Sequence, residues 1–325
     1  LICLVGLVVL VFAVAMSAGT KTQRTTQQVL HEEVVSAGGA GKIAQIELNG
    51  IIMPQQISLF GPSVNMVDRI KMQLRQAASD DDVVGVLLVV DSPGGGVTAS
   101  DELWNEVKKV RSKKKVIVHM GDLCASGGYY VSAPADHIVA SPTSVTGSIG
   151  VIMSLMDMSV LMQEKLGIKE NNIKSGPFKD IGSLGRPMSP EERAIMQGVV
   201  DDMYGRFVKI VAEGRAGKGP IPAEANAAED AVRVIADGRI YTATQALANG
   251  LADEIGYLED AQKAARKICG WSDAEIIRYR RKLSFMDILS GEVEGKLNVN
   301  TGVQVDAGGV IPSGPQFLYL WSPGQ

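Results

Sequence analysis

The eight residues Val83 to Val90 (VVGVLLVV) form an unbroken apolar, largely β-branched run, and this run limits the fold more than any other feature. A strand of that composition has no polar face to give to water. It must therefore lie inside a sheet covered on both sides, as in parallel α/β proteins. Its neighbours agree. Apolar positions at Met66, Ile70 and Leu74 predict a helix over 65–78, and a second helix is expected over 98–112. Val116 to His119 reads as the next strand, with further strands at Lys42–Leu48 (running on into Ile51–Met53), His137–Ala140 and Ile149–Met153. A Ser-Pro-Glu-Glu start opens a long helix over 189–214. Shorter helices follow near 223–236, 244–249 and 258–268. Alternation of this kind predicts parallel β-sheet layers with flanking helices.

The ends of the chain differ from this body. Residues 1–18 (LICLVGLVVLVFAVAMSA) carry no charge and are long enough to cross a bilayer as one helix, about 27 Å at ~1.5 Å per residue. They read as a transmembrane anchor, with a cleaved secretion signal as the alternative. Residues 19–41 are polar and then glycine-rich, the composition of a tether, with a helical turn or two expected over Val29–Val35. The folded body is assigned to 42–270 and a Gly-rich C-terminal extension to 271–325, which ends in the apolar patch Phe317-Leu318-Tyr319-Leu320-Trp321.

The net charge of −4 gives no reason to expect nucleic acid. Three cysteines and three histidines, all scattered, suit neither a disulfide framework nor a metal site, and no cofactor is expected. The 36 glycines are more telling, because two clusters of them close two of the buried strands.

The first cluster is Asp91-Ser92-Pro93-Gly94-Gly95-Gly96, where residues without side chains let backbone amides approach a substrate closely. The second is Ala125-Ser126-Gly127-Gly128-Tyr129-Tyr130, where a serine stands at a strand-to-helix junction. A serine there is exposed as a nucleophile, with following amides and a helix N-terminus aimed at a developing oxyanion. It is equally a plain helix N-cap, and the residues alone do not choose. A nucleophile needs a base. His31 lies in the tether, His119 closes a strand and His137 follows a turn, so none is well placed. A lysine serves when burial lowers its pKa, and Ser-Lys pairs do replace histidine triads. Lys179, in Lys174-Ser175-Gly176-Pro177-Phe178-Lys179-Asp180, stands among turn residues and is either such a base or a loop lysine paired with Asp180.

Four motifs in order, DSPGGG (91–96), ASGGYY (125–130), TGSIGV (146–151) and KSGPFKD (174–180), with ADGRIYTATQALANGLADEIGYLEDA at 236–261, resemble signal peptide peptidase A of family S49. The resemblance covers about residues 42–267 and matches the short, single-catalytic-domain type. It implies a Clp protease/crotonase-like α/β fold. It also implies Ser126 as nucleophile, Lys179 as general base, Ser148 as the residue that positions the lysine, and Gly95 and Gly127 as oxyanion amides. Further implications are a ring-shaped homo-oligomer, a single-pass membrane location with the catalytic part outside the cytoplasm, and released signal peptides or unfolded membrane-proximal segments as substrates. A crotonase-like acyl-CoA protein and a catalytically silent membrane scaffold are the alternatives, and the joint presence of Ser126, Ser148 and Lys179 counts against both.

Overall fold

The computed structural model describes residues 30–53, 65–281 and the strand 317–320. Residues 1–18, where the membrane anchor is expected, lie outside them, and no described helix is long and apolar enough to cross a membrane.

Strand β1 (Leu30–Ser36) leads to β2 (Lys42–Asn49), helix α1 (Met66–Ser79) and β3 (Val83–Ser92). A three-residue strand β4 (Gly94–Gly96), helix α2 (Val97–Arg111), β5 (Lys115–Ala125) and the short helix α3 (Gly127–Ser132) follow. Next come β6 (His137–Ala140), β7 (Val145–Gly147), β8 (Ile152–Met153) and a π-helical turn over Leu161–Lys165. The remainder is α4 (Pro190–Arg215), α5 (Ala225–Ile235), β9 (Ile240–Thr242), α6 (Ala243–Ala248), β10 (Glu254–Ile255), α7 (Leu258–Cys269), β11 (Glu275–Arg281) and β12 (Phe317–Leu320).

The main sheet runs β1-β11-β2-β3-β5-β6-β10, with β7 branching from β5 and β9 from β7. Every pair from β11 to β10 is parallel, as is β5–β7; only β1–β11 and β7–β9 are antiparallel. The run that opened the analysis becomes β3, at the sheet centre between β2 and β5. Val86 and Leu88 are buried in the larger core cluster, shared with Ile70 and Leu74 of α1 and Leu103 of α2. On the opposite face Leu87 packs with Ile43, Ile117 and Ala265 of α7. This two-sided burial is why the run carries no polar alternation.

Three expectations are revised. Val29–Val35 was expected to hold helical turns, yet 30–36 is strand β1, fixed by antiparallel pairing from Leu30↔Arg281 to Ser36↔Ile276. β11, at 275–281, went unseen because Glu275, Arg278, Arg280 and Arg281 mask its apolar Ile276 and Ile277. The sheet thus extends past both ends of the 42–270 span. The turn after Val90 is also not purely a turn. β3 continues to Ser92, and Gly94–Gly96 pairs as a strand of its own in a second sheet ordered β4-β12-β8.

Candidate active site

Parallel pairing of β3 with β5 carries the two glycine clusters to the same end of the sheet, with Ser92 opposite Cys124 after a bulge. Side chains at that end fix the turns. Ser92 Oγ donates to the Gly50 carbonyl at 2.6 Å and accepts from the Gly94 amide at 3.1 Å. Asp91 accepts from the Leu123 amide at 3.1 Å, locking the end of β3 to β5.

The glycines are required by close backbone approach. A Cβ on Gly95 would lie 2.1 Å from the Ile52 carbonyl oxygen, and one on Gly128 would lie 2.8 Å from that of Ser92. A Cβ on Gly127 would lie 2.4 Å from Ser100 Oγ and 3.1 Å from the Gly95 nitrogen. Gly95 and Gly127, both named from the sequence as oxyanion donors, are therefore packed against one another. They come from different strand ends, a geometry that allows two amides to converge on one oxygen.

Ser126 stands just before α3 with φ 52° and ψ −117°, and its side chain makes no capping hydrogen bond. The plain N-cap role is thereby set aside. A non-glycine residue in this region carries strain of order 1–3 kcal/mol, which the surroundings must impose. They do so through two backbone bonds: the Ser126 amide donates to the Gly147 carbonyl at 2.8 Å, and its own carbonyl accepts from the Tyr130 amide at 2.9 Å. Contrary to the exposure expected for a nucleophile, Ser126 is only 2% exposed, and β12 touches the helix it heads.

The same strand end delivers Ser148. β7 pairs with β5 through Ala125↔Gly147, so Ser126 and Ser148 each follow one member of that pair. Ser148 has φ 48°, and its amide donates to the Arg239 carbonyl at 2.8 Å.

Lys179 is exposed in a run of turns, and no hydrogen bond joins it to Ser126 or Ser148 among the described residues. The simple pairing with Asp180 is also absent. Asp180 accepts instead from Lys174 at 2.5 Å and Arg186 at 2.7 Å, which hold its carboxyl well below the usual range. Arg186 continues to Glu192, the capping-box residue of α4, so the segment is braced and the Lys179 amine has no ion-pair partner among the described residues.

Other candidate groups are accounted for. His137 pairs with Glu254 at 3.1 Å, and His119 shares a hydrogen bond with Ser141 at 3.2 Å. His119 lies seven residues before Ser126, back along β5. Burial pushes the Cys124 thiol up to about 12, so it is no rival nucleophile.

A support the sequence did not announce is the anchoring of α3. Tyr129 and Tyr130 are fully buried, with Tyr129 Oη donating to the Leu251 carbonyl at 3.0 Å. Tyr130 Oη donates to Asp101 Oδ1 at 2.6 Å, the same oxygen that Arg206 of α4 holds at 2.6 Å. Two large side chains directly after two glycines were the available signal.

A strained, uncapped serine beside two converging glycine turns defines a class, a serine-type protease on an α/β sheet, and the comparisons with known proteins agree. The profile of peptidase family S49 matches residues 108–271. A protein of Methanocaldococcus jannaschii named "putative protease" is 42% identical over 260 residues, 77% of this chain and 78% of its own. The "putative signal peptide peptidase SppA" of Enterococcus faecium is 39% identical over 252 residues, covering 77% and 70%. The chloroplastic "Serine protease SPPA" of Arabidopsis thaliana is 32% identical over 232 residues, covering 71% of this chain but 33% of its own. The chain belongs to peptidase family S49.

Proposed function

We propose that this serine protease is a membrane-anchored endopeptidase with a Ser/Lys dyad, cutting released signal peptides and other unfolded membrane-proximal segments. Ser126 attacks the scissile carbonyl, Lys179 takes its proton, and the amides of Gly95 and Gly127 hold the oxyanion. Ser148 orients the lysine. The observation that carries this reading is the backbone of Ser126: strained, uncapped, and followed by a glycine packed against the Gly95 amide.

The dyad is completed between neighbouring copies in a ring. Two features support that. Lys179 is exposed in the single chain, so it lacks there the burial on which a lysine base depends. Around it, over 152–184, apolar side chains are left uncovered: Met156, Val160, Leu166, Ile173 and Phe178 are all exposed, Ile173 completely. Such a patch on one chain suits contact with another. The residues 1–18 supply the anchor, and the catalytic body lies outside the cytoplasm.

The test is peptide cleavage by the full chain beside Ser126→Ala and Lys179→Ala. Both variants should lose all measurable turnover while keeping their circular dichroism. Activity persisting at a few per cent in either clean preparation refutes that residue's role.

A further inference from the structure

Three helices lead away from three parts of the site. α2 continues directly from Gly94–Gly96, so its first turn carries the Gly95 backbone. α3 begins at Gly127, the residue after Ser126. α4 opens at Pro190, where Glu192 holds Arg186 and, through it, the Asp180 that adjoins Lys179. One carboxyl oxygen joins all three helices. Asp101 Oδ1 on α2 accepts from Tyr130 Oη on α3 at 2.6 Å, and from Nε and Nη2 of Arg206 on α4 at 2.8 and 2.6 Å.

The link to the serine is short. Tyr130 donates its amide to the Ser126 carbonyl at 2.9 Å while its hydroxyl reaches Asp101, so one residue grips the strained serine with its backbone and α2 with its side chain. Its ring meets Trp104 and Phe207 edge-on, with centroids 6.3 and 4.9 Å away. The Arg206 guanidinium lies over the Trp104 ring at 5.2 Å, a cation–π contact. α3 has only six residues, too few to hold a direction by its own hydrogen bonds. Stability does not explain the arrangement. Asp101 and Arg206 are 32% and 50% exposed, and an ion pair in that setting adds little to folding. Geometry is what the tie supplies: a short, charge-assisted bond from fully buried Tyr130 fixes the carboxylate on one side, and the arginine fixes it on the other.

We propose that Asp101 is a positioning residue, which through Tyr130 and Arg206 keeps the Gly95 turn, Ser126 and the Lys179 segment in one mutual register. The proposal rests on the Ser/Lys reading above and deepens it. In a ring that shares its dyad, these segments serve two adjoining sites, so a loosened tie degrades both. A misplacement of about 1 Å at a reacting group costs on the order of a hundredfold in rate. Loss of the tie therefore slows the reaction without unfolding the chain.

The experiment is steady-state cleavage of an apolar chromogenic peptide by the full chain, run well below every variant's thermal midpoint so that all are fully folded. Asp101→Ala should lower kcat about tenfold or more with KM within about twofold. Asp101→Asn keeps an acceptor oxygen for Tyr130 and should recover at least about a third of parental kcat. Glu102→Gln removes the neighbouring surface pair with Lys71 (2.8 Å) and should leave kcat unchanged. Equal losses in Asp101→Ala and Glu102→Gln, or a loss seen in KM alone, overturn the proposal. Tyr130→Phe should slow the parent several-fold yet add nothing in the Asp101→Ala chain; an equal further loss there refutes a shared tie. Hydrogen exchange reads position without turnover. Segments 94–100 and 126–132 should exchange faster in Asp101→Ala, and unchanged exchange in both overturns the proposal. Absence of turnover in every chain, the parent included, with exchange still responding, would count against the serine reading and leave the tie standing.

Discussion

Ser126 and Ser148 are the two non-glycine residues with positive φ among the described residues, and they stand side by side, one step beyond the paired Ala125 and Gly147. The Ser126 amide is bonded to the carbonyl that directly precedes Ser148. One backbone bond thus links the two strained segments.

Ser126→Gly should abolish cleavage and raise stability by about 1 kcal/mol, because glycine takes φ near 50° without a Cβ penalty. Thermal unfolding of the two chains checks this. A variant less stable than the parent contradicts the claim that Ser126 is strained.

Ser148→Ala should reduce kcat by about tenfold to a hundredfold, with KM little changed, if this hydroxyl only orients the base. Steady-state kinetics decide it; a change confined to KM removes Ser148 from the proton-transfer path.

Subunits carrying Ser126→Ala and Lys179→Ala, each inactive, should regain about a quarter of parental activity when unfolded together and reassembled at equal ratio. A ring that shares its dyad between neighbours requires this. Zero recovery from verified mixed assemblies would place both residues within one chain.

Gly127→Ala should cripple both fold and activity, since its new Cβ meets Ser100 Oγ at 2.4 Å. Adding Ser100→Ala removes that oxygen and should recover part of the lost stability. Activity should stay low, because the Gly95 nitrogen at 3.1 Å is still crowded. Full recovery of turnover would show that Gly127 is needed for packing alone.

Asp253 is set apart from these residues and tests the body of the fold. Burial raises its pKa, but the two-point bond from fully buried Arg215 (3.0 and 2.9 Å), with the Ile138 amide and Lys218, outweighs burial and lowers it. A carboxyl with a depressed folded pKa stabilises above its unfolded value near ~3.9, and that contribution is lost as pH falls through the lower folded value. Asp253→Asn should cost about 3–5 kcal/mol at neutral pH by leaving Arg215 as a buried charge without a counterion. It should also flatten the acid limb of the stability curve. A loss below 1 kcal/mol in urea unfolding would contradict this.

The central layers were legible because β3 and its neighbours express burial directly in composition, and the capping box at Ser189 and Glu192 marked the start of α4. The edges were not. β1 is mostly solvent-facing, and β11 carries arginines over its apolar positions, so neither shows a burial pattern before its partner is known. At the site, the glycine clusters and Ser126 could be found from turn chemistry. The Tyr130–Asp101–Arg206 tie could not, since it joins three helices through residues 29 and 105 positions apart. The tail strand was visible only as an unexplained apolar patch; its place between β4 and β8 is a property of the folded sheet.

The pairing of Leu30 with Arg281 has a mechanical consequence. The chain enters the described body and leaves its main sheet at the same end of one antiparallel pair. A force applied between these two points would open β1 from β11 one bond at a time, like a zipper. The inner strands from β2 to β6 would not be sheared together. The body is thus hung from its most easily peeled seam, and load reaching it from either side is spent there before it disturbs the strand ends that carry Ser126.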